Sequence, residues 1–439
     1  MPESQIPRIV VVGGGAGGLE LVTRLGRAMG RRGTADITLV DASPTHIWKP
    51  LLHEVATGVL DQSLDEVSYP AHARSQGYRF QLGTLAGLDR EARQIQLAPL
   101  HDDKGEELLG ARSLSYDYLV LALGSVSNDF GTPGVADNCY FLDSTKQAES
   151  FRKALLNTFL RHSHVGDGSQ STADSKLSIA IVGGGATGVE LSAELLSATQ
   201  MLSSYGYSKI DRRQLQVHLI EAAPRVLPAL PERIGTSVSA ELERLGVKIH
   251  VDTKITAADK TGFTTADQTR IEADLTVWAA GVRGAEVLSQ LGLATQRNNQ
   301  IRVHTTLLSE DDDRVFALGD CAACPMGNDK MVPPRAQSAH QMATTVYKNL
   351  RASIDGKPLK TFKYRDFGSL ISLAHFDAVG NLMGGGAGRG LFIEGKLAKF
   401  FYASLYRMHQ RAIHGTLKTG LKAIVDGINS VLRPRLKLH

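Results

Sequence analysis

Two glycine-rich turns lie 170 residues apart in the chain, VVVGGGAGGLE from Val10 to Glu20 and IAIVGGGATGVE from Ile179 to Glu190. Each follows a run of β-branched residues and opens onto a helix-compatible stretch, so each reads as strand, tight turn, helix. A pyrophosphate sits against backbone N–H groups at a helix N-terminus, where a Cβ would block it. That requirement explains glycine at Gly13, Gly15 and Gly18, and again at Gly183, Gly185 and Gly188. One such turn is a weak signal. Two in one chain suggest two dinucleotides, and the simplest use of two dinucleotides is electron transfer between them.

At 439 residues the chain exceeds what one core supports, and two to three domains are expected. With 42% hydrophobic and 21% charged residues, its composition is that of an ordinary α/β protein. Three cysteines provide no disulfide framework, which fits a reducing compartment. The apolar run Ile9–Val12 is short and ends in the first glycine turn, so no signal peptide is expected. No stretch approaches the roughly 18 apolar residues that span a bilayer. The expected location is therefore the cytoplasmic side. Charge is unevenly distributed: residues 396–439 hold nine Lys or Arg against one acid, net +8, which leaves residues 1–395 at −4 within a total of +4. A mildly acidic body with a basic tail points to an anionic surface, and no nucleic-acid partner is expected.

In the first unit the second strand, DITLVD, ends at Asp41; in the second, LQVHLIE ends at Glu221. An acid at that strand end accepts hydrogen bonds from a ribose 2′-OH, and a carboxylate repels a 2′-phosphate, which favours NADH over NADPH at the second turn. The acid follows its turn at 28 residues for Gly13 to Asp41 and 38 for Gly183 to Glu221, more than the usual spacing of about 20. The excess, including SSYGYSKIDRR, reads as insertion after the helix. Two further strands end in small residues and glycine, YDYLVLALGS (Tyr116–Ser125) and DLTVWAAG (Asp274–Gly281), and RVFALGD ends in Gly319-Asp320.

In this order the segments resemble the two-dinucleotide flavoprotein superfamily, an α/β class with two Rossmann-like domains. The resemblance implies non-covalent FAD at the first turn, held by Gly13, Gly15, Gly18, Asp41, Lys49, Ala122, Gly124, Asp320, Ala336 and Gln337, with Asp320 facing the flavin ribityl chain. It implies NADH at the second, held by Gly183, Gly185, Gly188, Glu190, Glu221, Ala280 and Gly281. The expected domains are residues 1–140 with 296–345 for FAD, 141–295 for NADH, and 346–439 as a C-terminal region. Disulfide reductases of this superfamily carry a cysteine pair in the stretch equivalent to WKPLLHEVATG (Trp48–Gly58), which has none here. That excludes a thiol acceptor of that type.

VPPRAQSAHQMA (Val332–Ala343) contains Ala336-Gln337-x-Ala339-x-Gln341. With PLLHEVATG, YRMHQ and the RPRLKLH ending, it resembles the type II, non-proton-pumping NADH:quinone oxidoreductases of bacterial respiration. The resemblance spans essentially the whole chain. Gln337 and Gln341 share a helix face, and amides can hydrogen-bond quinone carbonyls without charging an apolar pocket. The implied reaction passes hydride from NADH to FAD, then two electrons to a membrane quinone, without proton pumping. Glu190 has two readings: an acid in the first helical turn favoured by the helix dipole, or a group near nicotinamide and quinone that aids placement or proton uptake. Cys321 and Cys324 form a CxxC, but no second CxxC or His pair of zinc spacing follows, so no metal is expected. Sulfide:quinone oxidoreductases, which use cysteines near the flavin, are one alternative; a flavin-bearing NADH sensor with poor turnover is another.

Near the C-terminus Ile413, Leu417, Leu421, Ile424, Ile428 and Val431 form one helical stripe, flanked by Arg411, Lys418 and Lys422 and preceded by the aromatic FFYASLY (Phe400–Tyr406). A basic amphipathic segment of this kind lies in a membrane interface. Residues 396–439 are thus read as a foot on an anionic lipid surface, giving a peripheral protein on the cytoplasmic face of the inner (plasma) membrane. Packing on the protein's own core or on a second copy, as in a homodimer, is the other use of such a stripe. Gly415, Gly420 and Gly427 favour two shorter helices over one. NLMGGGAGRG (Asn381–Gly390) lacks the strand-turn-helix setting and reads as a hairpin or loop.

Overall fold

A computed structural model describes residues 6–164, 176–204, 214–374, 376–383 and 390–432. The extra residues 205–213, the glycines at 384–386 and 388 and the RPRLKLH ending therefore lie outside the described residues. The chain divides into two compact units. The first comprises residues 1–48, 66–126 and 282–366, and the second 49–65, 127–281 and 367–439.

The first unit is built on a five-stranded parallel sheet. Its order is Val315–Ala317, Tyr118–Leu121, Arg8–Val12, Asp36–Asp41 and Arg79–Leu82. Covered strands of a parallel sheet are apolar without alternation. Ile9, Val11, Leu119, Val120 and Leu121 are accordingly fully buried. The first glycine turn leaves the central strand and enters the Ala16–Ala28 helix, which buries Leu19, Leu21, Val22 and Leu25. The Ala336–Ile354 helix packs on that helix through a buried face that includes Ala339, Met342, Ala343, Val346 and Leu350. The edge strand Val315–Ala317 comes from far beyond the second glycine turn, so this sheet is completed by a returning segment.

The second unit repeats the plan with four parallel strands, in the order Lys248–His250, Leu215–Ile220, Leu177–Val182 and Leu275–Trp278. An antiparallel sheet of Ile255–Asp259, Gly262–Thr265 and Arg270–Glu272 shares a core with it through Phe263, Ile271 and Trp278. A second antiparallel sheet, Gly368–Leu373, Asp377–Met383 and Gly390–Glu394, buries Ala378 and Ile393 against Ala398 of the following helix. Met383 pairs with Gly390, so the NLMGGGAGRG run spans the connection between two paired strands.

The unit boundaries differ from the ranges expected from sequence, falling at 126/127 and 281/282 rather than 140/141 and 295/296. Residues 49–65 join the second unit because the short Leu52–Thr57 helix buries Leu52, Val55 and Ala56 and packs on the Thr145–His164 and Ala186–Ser204 helices. The C-terminal region likewise belongs to the second unit, since the Gly368–Leu373 strand packs on the Ala186–Ser204 helix.

Two C-terminal helices, Gly395–His414 and Thr416–Leu432, break at Gly415, where φ is +87°. The single stripe read from sequence therefore divides. Ile413 is buried, while Leu417, Leu421, Ile424 and Ile428 are exposed. Among the described residues no helix is long and apolar enough to cross a membrane.

Candidate active site

The two glycine turns are built alike. Gly13 and Gly183 adopt φ of +102° and +113°, a region costly for any residue with a Cβ. Each donates its N–H to the neighbouring strand at 2.8 Å, to Val40 O and Ile220 O respectively. A Cβ at Gly18 would lie 1.9 Å from Gly13 O, and one at Gly188 would lie 2.0 Å from Gly183 O, so helix and turn approach as closely as glycine permits. At Gly15 and Gly185, by contrast, a Cβ would meet nothing within 4 Å. Neither helix carries an acid in its first turn, and Gly15 provides no side-chain cap. Each turn thus leaves an open, uncapped helix N-terminus that a Cβ would fill, the geometry a dinucleotide pyrophosphate requires. The residues present fit both nucleotides.

The strand-end acids are positioned by these turns. Asp41 Oδ2 accepts the Gly14 N–H at 2.6 Å and Oδ1 accepts the Ser43 N–H at 2.8 Å. Glu221 mirrors it, with Oε2 accepting from Gly184 N–H at 2.7 Å and Oε1 from Ala223 N–H at 2.8 Å. A carboxylate has about four lone-pair sites, so each retains acceptor capacity for ribose hydroxyls. The long spacing in sequence does not displace either acid, because each still ends the strand beside its turn. Burial pushes the Asp41 carboxyl up, and the Gly14 and Ser43 N–H groups oppose that. The buried Tyr69 hydroxyl donates to Gly14 O at 2.7 Å and stabilises the turn from below.

Ala122 follows the Tyr118–Leu121 strand, and its carbonyl lies against Gly13. Gly124 has φ of +72° with open space at its Cβ position. Asp320 lies just beyond the Val315–Ala317 strand, where its Oδ2 accepts from the Ser125 hydroxyl at 2.9 Å and its backbone carbonyl accepts from Gln300 Nε2 at 2.7 Å. Ser125, Gln300 and Asp320, with Arg283, Val332 and Pro333, line a cleft of about 150 Å³ in the first unit. The two supports of Asp320, 195 and 20 residues away along the chain, carry no signal in the sequence. In the second unit Gly281 has φ of +64° beyond the Leu275–Trp278 strand, and Ala280 packs against that unit's core.

Three expected site residues have partners that sequence does not suggest. Gln341 donates Nε2–H to Arg365 O at 2.9 Å and accepts the Arg365 N–H at 3.0 Å, so its amide engages both backbone groups of one residue. Gln337 Nε2 donates to Asp366 Oδ1 at 3.3 Å, and Arg335 pairs with the same carboxylate. An amide offers two donors and two acceptor lone pairs, so Gln341 keeps one of each. Ala336 begins the helix that carries both glutamines. Lys49 belongs to the second unit, where its ammonium pairs with Asp143 at 3.3 Å.

Glu190 corrects one expectation. The helix begins at Ala186 and has no acid in its first turn, so Glu190 stands one turn further in, where the helix dipole is largely spent. It is buried, and Oε1 accepts the Ser372 N–H at 3.0 Å. Burial pushes its carboxyl up to about 8. Glu20, the matching residue of the first fingerprint, is buried and pairs instead with Arg24 and His340. Around Glu190 stand His53, Glu194 and Tyr402, none of them singled out from sequence. One signal is legible there: Glu194 lies four residues after Glu190, a like-charged pair on one helix face.

Cys321 and Cys324 are buried free thiols, both pushed up to about 11 by burial. Cys321 Sγ donates to Leu318 O and Leu121 O. A thiol held neutral is a poor nucleophile and a poor metal ligand. Among the described residues no group of three metal-ligating side chains occurs.

Comparison with known proteins agrees with this architecture. Residues 7–343 match the family model described as pyridine nucleotide-disulphide oxidoreductase. A type II NADH:quinone oxidoreductase of Haemophilus influenzae is 51% identical over 98% of this chain and 99% of its own length. One from Staphylococcus aureus is 29% identical over 86% of this chain and 90% of its own. Among solved structures, NDH2 from Plasmodium falciparum in complex with NADH superposes with a TM-score of 0.83 at 18% identity, covering 99% of this chain and 100% of that one. The sulfide:quinone oxidoreductase of Aquifex aeolicus gives 0.71 at 18% identity, covering 96% and 95%. At that identity the two structures speak to the fold alone.

Proposed function

The chain belongs to the pyridine nucleotide-disulphide oxidoreductases and, within them, to the type II NADH:quinone oxidoreductases, and on that premise we propose that it oxidises NADH through non-covalent FAD and reduces a membrane quinone by two electrons without pumping protons. The observation that carries this reading is the pair of matched, open glycine cradles in one chain, at Gly15 and Gly185. FAD, when bound, accepts a hydride and passes two electrons on, and the protein supplies position and dryness.

On this reading the first turn, with Asp41, Ala122, Gly124 and Asp320, holds FAD. The second, with Glu221, Ala280 and Gly281, holds NADH, and the Glu221 carboxylate disfavours a 2′-phosphate. Lys49, Ala336 and Gln337 complete the FAD set, and Glu190 attends the nicotinamide and quinone. Gln341 offers its remaining donor to the quinone while it fixes the Arg365 backbone. The buried neutral thiols speak against a sulfide substrate, which would need a reactive cysteine.

The C-terminal helices form the foot on the cytoplasmic face of an anionic membrane. Its support is a face of Leu417, Leu421, Ile424, Val425 and Ile428, all exposed, with Arg411 and Lys418 exposed beside it. Lys422 is turned to Asp65 at 3.4 Å and secures the second helix. A second copy of the chain is the competing occupant of this face, and sedimentation without lipid separates the two.

Adding NADH anaerobically to the FAD-loaded protein, then a short-chain quinone, tests the proposal through flavin absorbance. Bleaching by NADH followed by rapid recovery is expected; bleaching without recovery would indicate a sensor. Gln341→Ala should slow the quinone step at least about tenfold and leave bleaching within about twofold. Equal loss in both half-reactions would remove the assigned role of Gln341.

A further inference from the structure

The loop that follows the Leu215–Ile220 strand, from Glu221 to Leu230, is drawn together by one side chain. Arg225 Nη1 donates to Leu227 O at 2.9 Å, and its Nη2 donates to Pro228 O at 2.9 Å and to Leu230 O at 2.8 Å. A guanidinium is a planar fork of donors, so the one Arg225 side chain holds three carbonyls in a fixed arrangement. The Glu232–Arg244 helix packs on it: a Cβ at Gly235 would lie 3.1 Å from Arg225 Nη1 and 2.8 Å from Val226 O. The NADH site described above gives Arg225 no part.

The loop so folded holds Leu227 at φ of +52°, a costly region for a bulky residue, with its side chain buried. In that conformation the Leu227 N–H reaches Gly184 O at 2.7 Å. The Gly184 N–H in turn donates to Glu221 Oε2 at 2.7 Å, and the Ala223 N–H of the loop donates to Oε1 at 2.8 Å. Both carboxylate oxygens are therefore aimed by backbone that Arg225 gathers. The first unit holds the matching carbonyl by other means, since Gly14 O accepts from the Tyr69 hydroxyl at 2.7 Å. The same carbonyl is thus held in both turns. In the second turn its donor comes from a strained loop, which needs a brace.

Resting on the NADH reading, we propose that Arg225 is the positioning residue for the adenosine end of the NADH site. It acts through Glu221 rather than on the dinucleotide. Its guanidinium keeps Leu227 at positive φ, the Gly184 carbonyl engaged, and the free lone pairs of Glu221 turned to the ribose 2′-hydroxyl. Without it the loop carbonyls turn to water and Leu227 relaxes to negative φ, which withdraws its N–H from Gly184. Glu221 then loses its fixed aim. The dinucleotide loses a ribose hydrogen bond, and the geometry of hydride transfer is left alone.

The test follows flavin bleaching against NADH concentration, anaerobically, in the FAD-loaded wild type and its Arg225→Ala and Arg225→Lys variants. Arg225→Ala should raise the half-saturating NADH concentration at least about tenfold, while the limiting bleaching rate stays within about twofold. Arg225→Lys keeps the charge on a single nitrogen that cannot span three carbonyls, so its loss should fall between. An NADH analogue lacking the adenosine 2′-hydroxyl separates lost aim from general damage. For that analogue Arg225→Ala should raise half-saturation by no more than about threefold, because the hydrogen bond that Arg225 secures is already missing. Equal weakening for NADH and the analogue, or wild-type half-saturation in both variants, would overturn the proposal. Should Arg225→Ala fail to retain flavin, the same comparison in Arg225→Lys decides. A wild type that NADH does not bleach would defeat the NADH reading itself, and this role with it. A bleached wild type whose variants treat both dinucleotides alike would defeat the role alone.

Discussion

Gly185→Val is expected to give a protein that still purifies yellow with FAD but is no longer bleached by NADH, whereas Gly15→Val is expected to purify colourless. At both positions a new Cβ meets no atom within 4 Å, so the substitution fills the cradle without forcing the fold. At Gly13 it would lie 2.3 Å from Ala122 O at a positive φ, and loss of cofactor would be inseparable from damage to the turn. The pyrophosphate contacts are charge-assisted hydrogen bonds to backbone N–H groups, individually worth about 1.5–3 kcal/mol. Losing two of them at either site corresponds to at least about a hundredfold in affinity. Flavin content by absorbance and NADH binding by titration read the two outcomes separately. Loss of flavin in Gly185→Val with retention in Gly15→Val would exchange the two assignments.

Replacing Leu421, Ile424 and Ile428 together by Glu is expected to release the protein from anionic vesicles into the supernatant. These side chains are 57%, 64% and 53% exposed, so they contribute little to the folded core. Burying each in lipid is worth roughly 1–2 kcal/mol, and losing all three weakens partitioning by at least about a hundredfold before the new charges are considered. Oxidation of NADH with a soluble quinone should stay within about twofold. Substitution is preferable to cutting the chain at 413, because Ile413 is buried and its removal would open the core under the Gly395–His414 helix. Flotation with vesicles of mixed anionic and zwitterionic lipid measures the effect; a triple variant that still floats would show that this face is not the foot.

The cradles and the amphipathic tail are legible in the amino-acid sequence because each is a short-range pattern. A β-branched run followed by Gly13-Gly14-Gly15 or Gly183-Gly184-Gly185 has few conformations open to it, and backbone sterics select the positive φ at the first glycine of each. The spacing of Leu417, Leu421, Ile424 and Ile428 likewise sets one helix face without reference to anything beyond it. Side-chain partnerships are not legible in this way. That Ser125 and Gln300 hold Asp320, that Arg365 occupies the Gln341 amide, and that His53 stands between Glu54 and Glu190 depend on which elements the chain path brings together. Even within one stripe, tertiary packing decides that Ile413 is buried while Leu417 faces solvent. Local stereochemistry is written into a dozen neighbouring residues, whereas the pairing of a buried polar group is set by the packed surfaces around it, which no window of the sequence contains.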